Sequence, residues 1–81
     1  MIRYINVTIT KEVDRVNSIG KKMKAARRRK GLTQAWMAER LNVHRTTYTK
    51  YERGQVELPL SLLRKVTALL DISVEELLDE A

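Results

Sequence analysis

The chain has 81 residues, enough to enclose one hydrophobic core but too few for a catalytic domain beside a recognition domain. It contains no cysteine, which excludes disulfide frameworks and thiolate metal sites, and we expect a cytoplasmic protein without a cofactor. No apolar run is long enough for a membrane span and the first residues lack the pattern of a secretory signal, so we expect no membrane association.

The net charge of +6 is distributed unevenly along the chain. Residues 19–54 hold eleven basic and two acidic side chains, whereas residues 55–81 hold two basic and six acidic ones. A basic field of this density attracts polyanions and is typical of nucleic-acid binders. A solvated basic face on an ordinary soluble protein would give the same composition, so charge alone leaves both interpretations open.

The first segment of the chain has the composition of a β-strand. Residues 2–9 are rich in β-branched and aromatic side chains, and no later segment has this pattern. A lone strand needs a partner for its backbone groups, and the same segment of a two-fold mate could supply one, with Ile5, Val7 and Ile9 on a shared face. We therefore predict that residues 1–17 form an N-terminal strand or arm and a candidate dimerisation element.

Helical spacing begins at Ser18 and predicts two helices before residue 43. Gly31 is placed to end the first helix, Thr33 to cap the second, and Asn42 and Val43 to form the turn after it. The predicted inward positions are Ile19, Met23, Ala26, Arg27, Met37, Ala38 and Leu41.

Three further helices are predicted in the second half of the chain. The third covers about Arg45–Arg53 with Gly54 as its stop, and Pro59 suits the first turn of the fourth. A capping box at Ser73–Glu76 opens the fifth. The predicted inward positions are Tyr48, Tyr51, Leu60, Leu63, Val66 and Leu70. The sequence therefore predicts an all-α domain of five helices over residues 18–81.

The short joint between the second and third helices carries a specific sequence pattern. The stretches Leu32–Gln34, Met37–Val43 and Arg45–Gly54 resemble the Cro/CI-type (XRE) repressor family, and the likeness continues through the fourth helix to Ser73–Leu78. It covers about residues 19–78. The resemblance implies a lambda-repressor-like helix-turn-helix domain that binds double-stranded operator DNA, usually as a two-fold dimer, and acts as a transcriptional regulator, most often a repressor.

The third helix supplies the expected base-reading residues. Residues at the start and on the outward face of a recognition helix reach base edges in the major groove. We expect this role for Arg45, Thr46 and Lys50, with Thr49 a weaker candidate. Arginine and lysine donate to guanine O6 and N7, and threonine can meet a thymine methyl or a polar base edge.

The expected phosphate contacts lie at the helix starts. Gln34 matches the family position that holds a phosphate, where free amides and the helix dipole favour an anion, and Thr47 and Arg53 are further candidates. His44 stands where the family usually has a small capping residue. It could cap the third helix through its imidazole, contact a phosphate or face solvent, and we favour the cap or the phosphate. For each residue expected to contact DNA, the alternative is a solvated surface side chain that makes no such contact.

Two side chains on the first and second helices also need an explanation. Arg27 lies on the inward stripe and requires a buried partner, and Glu52 follows Tyr51 at the inner end of the third helix, so we predict an Arg27–Glu52 ion pair that matches the family's charged pair. Trp36 replaces the family's acidic residue. It either packs against the N-terminal segment or lies exposed near the DNA backbone, and we expect it to stay out of the core.

The same residues also bear on three other classes of function: an enzyme, an RNA-binding protein and an antitoxin. No catalytic triad or metal-binding carboxylate cluster can be composed, so we expect no enzyme. RNA binding is disfavoured because the aromatic sheet motifs of RNA modules are missing. A DNA-binding antitoxin that also binds a partner protein stays open. The family more often dimerises near the fifth helix, where Leu69, Val74 and Leu78 offer an apolar surface that competes with the N-terminal strand.

Overall fold

The computed structural model describes residues 18–78, and every regular element in that range is a helix. In chain order they are α1 over residues 18–29, α2 over Gln34–Leu41, α3 over Arg45–Arg53, α4 over Leu60–Leu70 and α5 over Val74–Leu78. The predicted all-α domain of five helices is therefore confirmed for these residues. The predicted strand at residues 2–9 lies outside the described part of the chain.

Four of the helices end in residues with left-handed backbone conformation, which produces the tight turns. Gly31 has φ 69°, and after it the Leu32 amide donates to the carbonyl of Arg27 at 3.0 Å. This is the six-residue hydrogen bond of a Schellman ending, which suits glycine because it has no Cβ to clash. The other three such residues are Asn42, Gly54 and Asp71.

The helix starts use side-chain caps at two places. Thr33 Oγ1 accepts from the amide of Trp36 at 3.0 Å, and Ser73 Oγ accepts from the amide of Glu76 at 3.0 Å, which is the serine half of the predicted capping box. Pro59 lies immediately before α4 in extended conformation, with ψ 143°, so it precedes the helix instead of forming its first turn.

Every helix contributes to one core. Its buried apolar members are Met23, Ala26, Met37, Ala38, Leu41, Tyr48, Tyr51, Val66, Leu70 and Leu77. The prediction was wrong for Leu60, which is 82% exposed, and α4 instead buries Thr67 beside Val66 and Leu70. Periodicity identifies the face of a helix that points inward, but it does not show how far the neighbouring helices extend along it.

Gly20 allows α1 to pack directly on the backbone of α3. It is buried, and a Cβ at this position would lie 2.6 Å from the carbonyl oxygen of Tyr51 and closer still to that of Glu52. Real Cβ atoms do not approach backbone oxygen so closely, so any larger residue forces the two helices apart. This contact could not be predicted, because helical spacing alone does not reveal where two backbones touch.

Trp36 lies at the edge of the core. Its side chain is half-buried against the buried residues, and the guanidinium of Arg40 lies 4.9 Å from the ring centroid, within cation–π range. The expectation that this residue stays out of the core is therefore wrong in part. None of the helices in residues 18–78 combines the length and the apolar character that crossing a bilayer requires.

Candidate nucleic-acid interface

The packing of α3 determines which of its side chains face outward. Tyr48, Tyr51 and Glu52 are buried on the inner side, and the two tyrosine rings meet edge to face with centroids 6.5 Å apart. Since residues two apart in a helix point to nearly opposite sides, Thr46 and Lys50 point away from the core. The outer face of α3, defined here as Arg45, Thr46, Lys50 and Arg53, is exposed along its whole length.

The outer face brings the expected base-reading residues together. Arg45, Thr46 and Lys50 line one shallow depression of about 260 Å³, together with Arg53, Thr49 and Gln55. The surface therefore combines two guanidinium groups, one ammonium group and hydroxyl and amide groups, and it contains no carboxylate. Such a set can donate hydrogen bonds to base edges and attract phosphates.

The helix ends add to this positive potential. Neither α2 nor α3 has an acidic residue in its first turn, and α3 carries Lys50 and Arg53 in its last turn. The first amides of a helix have no intrahelical acceptor, so the starts of α2 and α3 favour an anion. In contrast, the first turn of α5 carries Glu75 and Glu76, which makes the surface there acidic.

A buried ion pair fixes the inner side of α3 to α1. Arg27 Nε donates to Glu52 Oε2 at 2.7 Å, and Arg27 Nη2 donates to Oε1 at 3.2 Å. The remaining nitrogen, Nη1, donates to the carbonyl of Leu32 at 2.8 Å, which also holds the loop before α2. The Arg27 and Glu52 side chains are only 10% and 2% exposed, so the pair is closed to bulk water.

The electrostatics of Glu52 follow from these contacts. Burial opposes ionisation of the carboxyl, but hydrogen bonds from Arg27 and Gln34, together with the neighbouring Tyr48 hydroxyl, outweigh it and lower the Glu52 pKa below its ordinary value. The hydrogen bond to Glu52 likewise raises the pKa of Arg27. Both groups are therefore charged in the folded protein at neutral pH.

The hydroxyl of Tyr48 lies beside this pair. Burial, followed by the neighbouring Glu52 carboxylate, raises the Tyr48 pKa and keeps the phenol neutral. The oxygen is fully buried and has no hydrogen bond of good geometry among the described residues.

Gln34, the first residue of α2, is turned toward α3. Its Nε2 donates to Glu52 Oε1 at 3.1 Å, and its Oε1 accepts from Thr49 Oγ1 at 3.2 Å. The expected phosphate contact of Gln34 therefore does not come from a freely extended side chain. The Thr49 hydroxyl also faces the carbonyl of Arg45 at 2.9 Å, so this residue is engaged within the protein and only half-exposed.

His44 occupies the capping position before α3 but does not cap it with its side chain. Its carbonyl accepts from the amide of Tyr48 at 3.0 Å, whereas the exposed imidazole makes no capping hydrogen bond. The imidazole-cap interpretation is therefore wrong, because no hydrogen bond joins the ring to the first amides of α3. Thr47 is half-buried on the same first turn. Within residues 18–78, no three His, Cys, Asp or Glu side chains group together as a metal site.

Comparison with known proteins places this chain in a family. A family model described as helix-turn-helix matches residues 23–77. The HTH-type transcriptional regulator SinR of Bacillus subtilis (strain 168) is 38% identical over 63 residues, which cover 76% of this chain and 57% of SinR. The HTH-type transcriptional regulator ImmR of the same strain is 36% identical over 61 residues, which cover 75% of this chain and 48% of ImmR.

A prophage protein is similar over the same part of the chain. The SPbeta prophage-derived uncharacterized HTH-type transcriptional regulator YonR of Bacillus subtilis (strain 168) is 39% identical over 59 residues, which cover 73% of this chain and 55% of YonR. The chain thus spans about half the length of these relatives. The match includes both the α2–α3 pair and the helices that support it, and the chain belongs to the Cro/CI-type (XRE) family of helix-turn-helix transcriptional regulators.

Proposed function

We propose that this chain binds double-stranded DNA sequence-specifically and regulates transcription, with α3 in the major groove. The observation that carries the proposal is the outer face of α3, where Arg45, Thr46 and Lys50 are exposed together and no carboxylate intrudes. The starts of α2 and α3, which also lack acidic residues, flank this face. Membership of a family of regulators supports the same function.

The base contacts are assigned to three exposed residues of the outer face, Arg45, Thr46 and Lys50. Arg45 and Lys50 can donate to guanine O6 and N7, and Thr46 can meet a thymine methyl or a polar base edge. Thr49 ranks below them because its hydroxyl already donates within the protein. Each good bidentate contact discriminates against the wrong base by roughly 1–3 kcal/mol.

The phosphate contacts are assigned to the helix starts and to the end of α3. Gln34 would hold a phosphate through its backbone amide at the start of α2, since its side-chain amide is hydrogen-bonded to Glu52 and Thr49. Arg53 is exposed and cationic at the far end of the outer face. Thr47 and His44 lie at the start of α3, where a hydroxyl and an imidazole can reach the backbone of the duplex.

The binding unit is proposed to be a homodimer that acts as a repressor. One recognition helix reads only a few base pairs, whereas two helices about 34 Å apart reach both halves of a palindromic site. The described residues contain an apolar groove of about 520 Å³ at the start of α1, the start of α4 and the end of α5. Leu60 on its rim is 82% exposed and Leu78 is 46% exposed, so this surface is suited to contact with a second chain.

Two changes distinguish the groove from the N-terminal segment as the dimer contact. Leu60→Glu should dissociate the dimer at micromolar concentration by sedimentation if the groove is used, whereas the matched Ser61→Glu, on an exposed neighbour, should not. Deletion of residues 1–10 should dissociate it if the predicted strand is used. A truncated chain that stays dimeric and binds DNA normally excludes the strand.

A random duplex pool tests the DNA-binding proposal directly. Repeated selection for bound duplexes should enrich one half-site, repeated at a spacing of about one helical turn when the protein binds as a dimer. A random pool of RNA duplexes should compete only weakly for binding to the protein. Failure to enrich any motif would overturn the proposal that the chain binds DNA sequence-specifically.

A DNA-binding antitoxin is the second candidate, and the exposed apolar groove is the observation that favours it. An antitoxin would bury the groove against a different protein and not against its own copy. Purification from the native host discriminates between the two functions. A stable second polypeptide in equal amount supports the antitoxin, and a homodimer alone supports the regulator.

A further inference from the structure

The strongest unassigned feature is the hydrogen-bonded bridge that Gln34 makes between α2 and α3. Its amide joins two side chains of α3, Thr49 and Glu52, which lie three residues apart on one face of that helix. Two attachment points one turn apart fix the rotation of α3 as well as its distance from the start of α2. A single contact would fix only the distance.

The chemistry of Glu52 determines the orientation of this amide. An ionised carboxylate only accepts hydrogen bonds, so the nitrogen of Gln34 must face Glu52 and the oxygen must face Thr49. Glu52 cannot shift, because Arg27 holds both of its oxygens from α1. The bridge is therefore anchored on the buried ion pair and ends at a hydroxyl near the surface.

The Thr49 end of the bridge reaches the base-reading turn. The hydroxyl has one proton and faces two acceptors, Gln34 Oε1 at 3.2 Å and the Arg45 carbonyl at 2.9 Å, so it can donate to only one of them at a time. The bond to Gln34 joins the start of α2 to α3, whereas the bond to Arg45 closes within α3 alone. The bridge is complete only in the first arrangement.

We propose that Gln34, through Thr49, is a positioning residue that sets the rotation of the recognition helix and thereby determines base discrimination. This inference rests on the proposed DNA binding. It assigns the Gln34 side chain to specificity, whereas a phosphate contact would contribute to affinity for every duplex. Loss of the bridge lets α3 rotate, which moves the tips of Arg45 and Lys50 relative to the bases while their attraction to phosphates is kept.

The test compares binding to the selected site and to a scrambled duplex, using Gln34→Met and Thr49→Val as near-isosteric variants. Each should lower the ratio of the two affinities by about tenfold, the equivalent of one lost hydrogen bond, with little change on the scrambled duplex or in the salt dependence. Thr49→Ser keeps the hydroxyl and should keep the ratio. The double variant should lose no more than either single one, because both changes remove the same bridge.

The outcomes separate the inference from the function on which it rests. Equal weakening on both duplexes with a flatter salt slope in Gln34→Met would make this side chain a phosphate contact and overturn the inference, as would an unchanged ratio in Thr49→Val. Thr49→Val leaves the Arg27–Glu52 pair intact, so it keeps the test valid if Gln34→Met fails to fold. A wild-type chain that does not discriminate between the duplexes would overturn the DNA-binding proposal itself, and the inference with it.

Discussion

The two faces of α3 obey different constraints. On the inner face, Tyr48, Tyr51 and Glu52 are buried, and Glu52 is held by hydrogen bonds from two other helices. On the outer face, Arg45 and Lys50 are exposed at the surface. Changes on the inner face should therefore alter folding stability, whereas changes on the outer face should alter only binding.

The largest effect is expected at Glu52 on the inner face. Glu52→Ala leaves Arg27 as a buried charge without its carboxylate, which should lower the free energy of unfolding by roughly 3–5 kcal/mol. Denaturant unfolding measures this change. Glu57→Ala removes a carboxylate from an exposed position and should change stability by less than about 0.5 kcal/mol. Equal stability of the two variants would show that the ion pair does not hold α3.

Gly20 tests the backbone contact behind the same face. Gly20→Ala places a methyl group against the carbonyls of Tyr51 and Glu52, which should cost about 1–3 kcal/mol of stability although alanine favours helices. Lys21→Ala, at the exposed neighbouring position, should be close to neutral. A Gly20→Ala protein more stable than wild type would mean that α1 and α3 are not in backbone contact.

The titration of Glu52 gives a further prediction for the inner face. Because its folded pKa is lowered, Glu52 contributes stability that is fully present above its unfolded pKa and is lost as the pH falls through the folded value. In denaturant unfolding between pH 7 and pH 3, stability should therefore fall more steeply for the wild type than for Glu52→Gln. Parallel curves for the two proteins would contradict this assignment.

Arg53 tests the outer face with a smaller expected change. Arg53→Ala should leave stability unchanged, weaken binding to all duplexes by a similar factor and reduce the slope of affinity against salt concentration by about one. Titrations at several salt concentrations measure both quantities. A loss confined to the selected site would reassign Arg53 to base reading.

Secondary structure and core were largely predictable from local signals. The bounds of α3 follow from helical spacing that ends at Gly54, and the buried positions of α1 to α3 follow from the period of their apolar residues. Leu60 was mispredicted because the same period continues beyond the point where other helices cover it. Local sequence patterns thus predict secondary-structure elements better than they predict which elements pack against each other.

The details of the candidate site were less predictable because they depend on contacts between helices. The outward positions of Thr46 and Lys50 follow from the inward position of Tyr48, because residues two apart in a helix point to nearly opposite sides. The position of Arg27 on the inward face of α1 likewise showed that it needs a buried partner. In contrast, the bridge from Gln34 to Glu52 joins residues 18 apart, and no spacing rule connects them. The capping role of His44 failed because residue position alone does not determine where a ring points.

Base reading by the outer face of α3 is best measured with Arg45→Ala, by its affinity for the selected site and for every single-base variant of that site. We expect a loss of about 1–3 kcal/mol on the selected site and relaxed preference at one position of each half-site, with unchanged folding stability. Equal losses on the selected site and on scrambled DNA, with the full base preference retained, would contradict it.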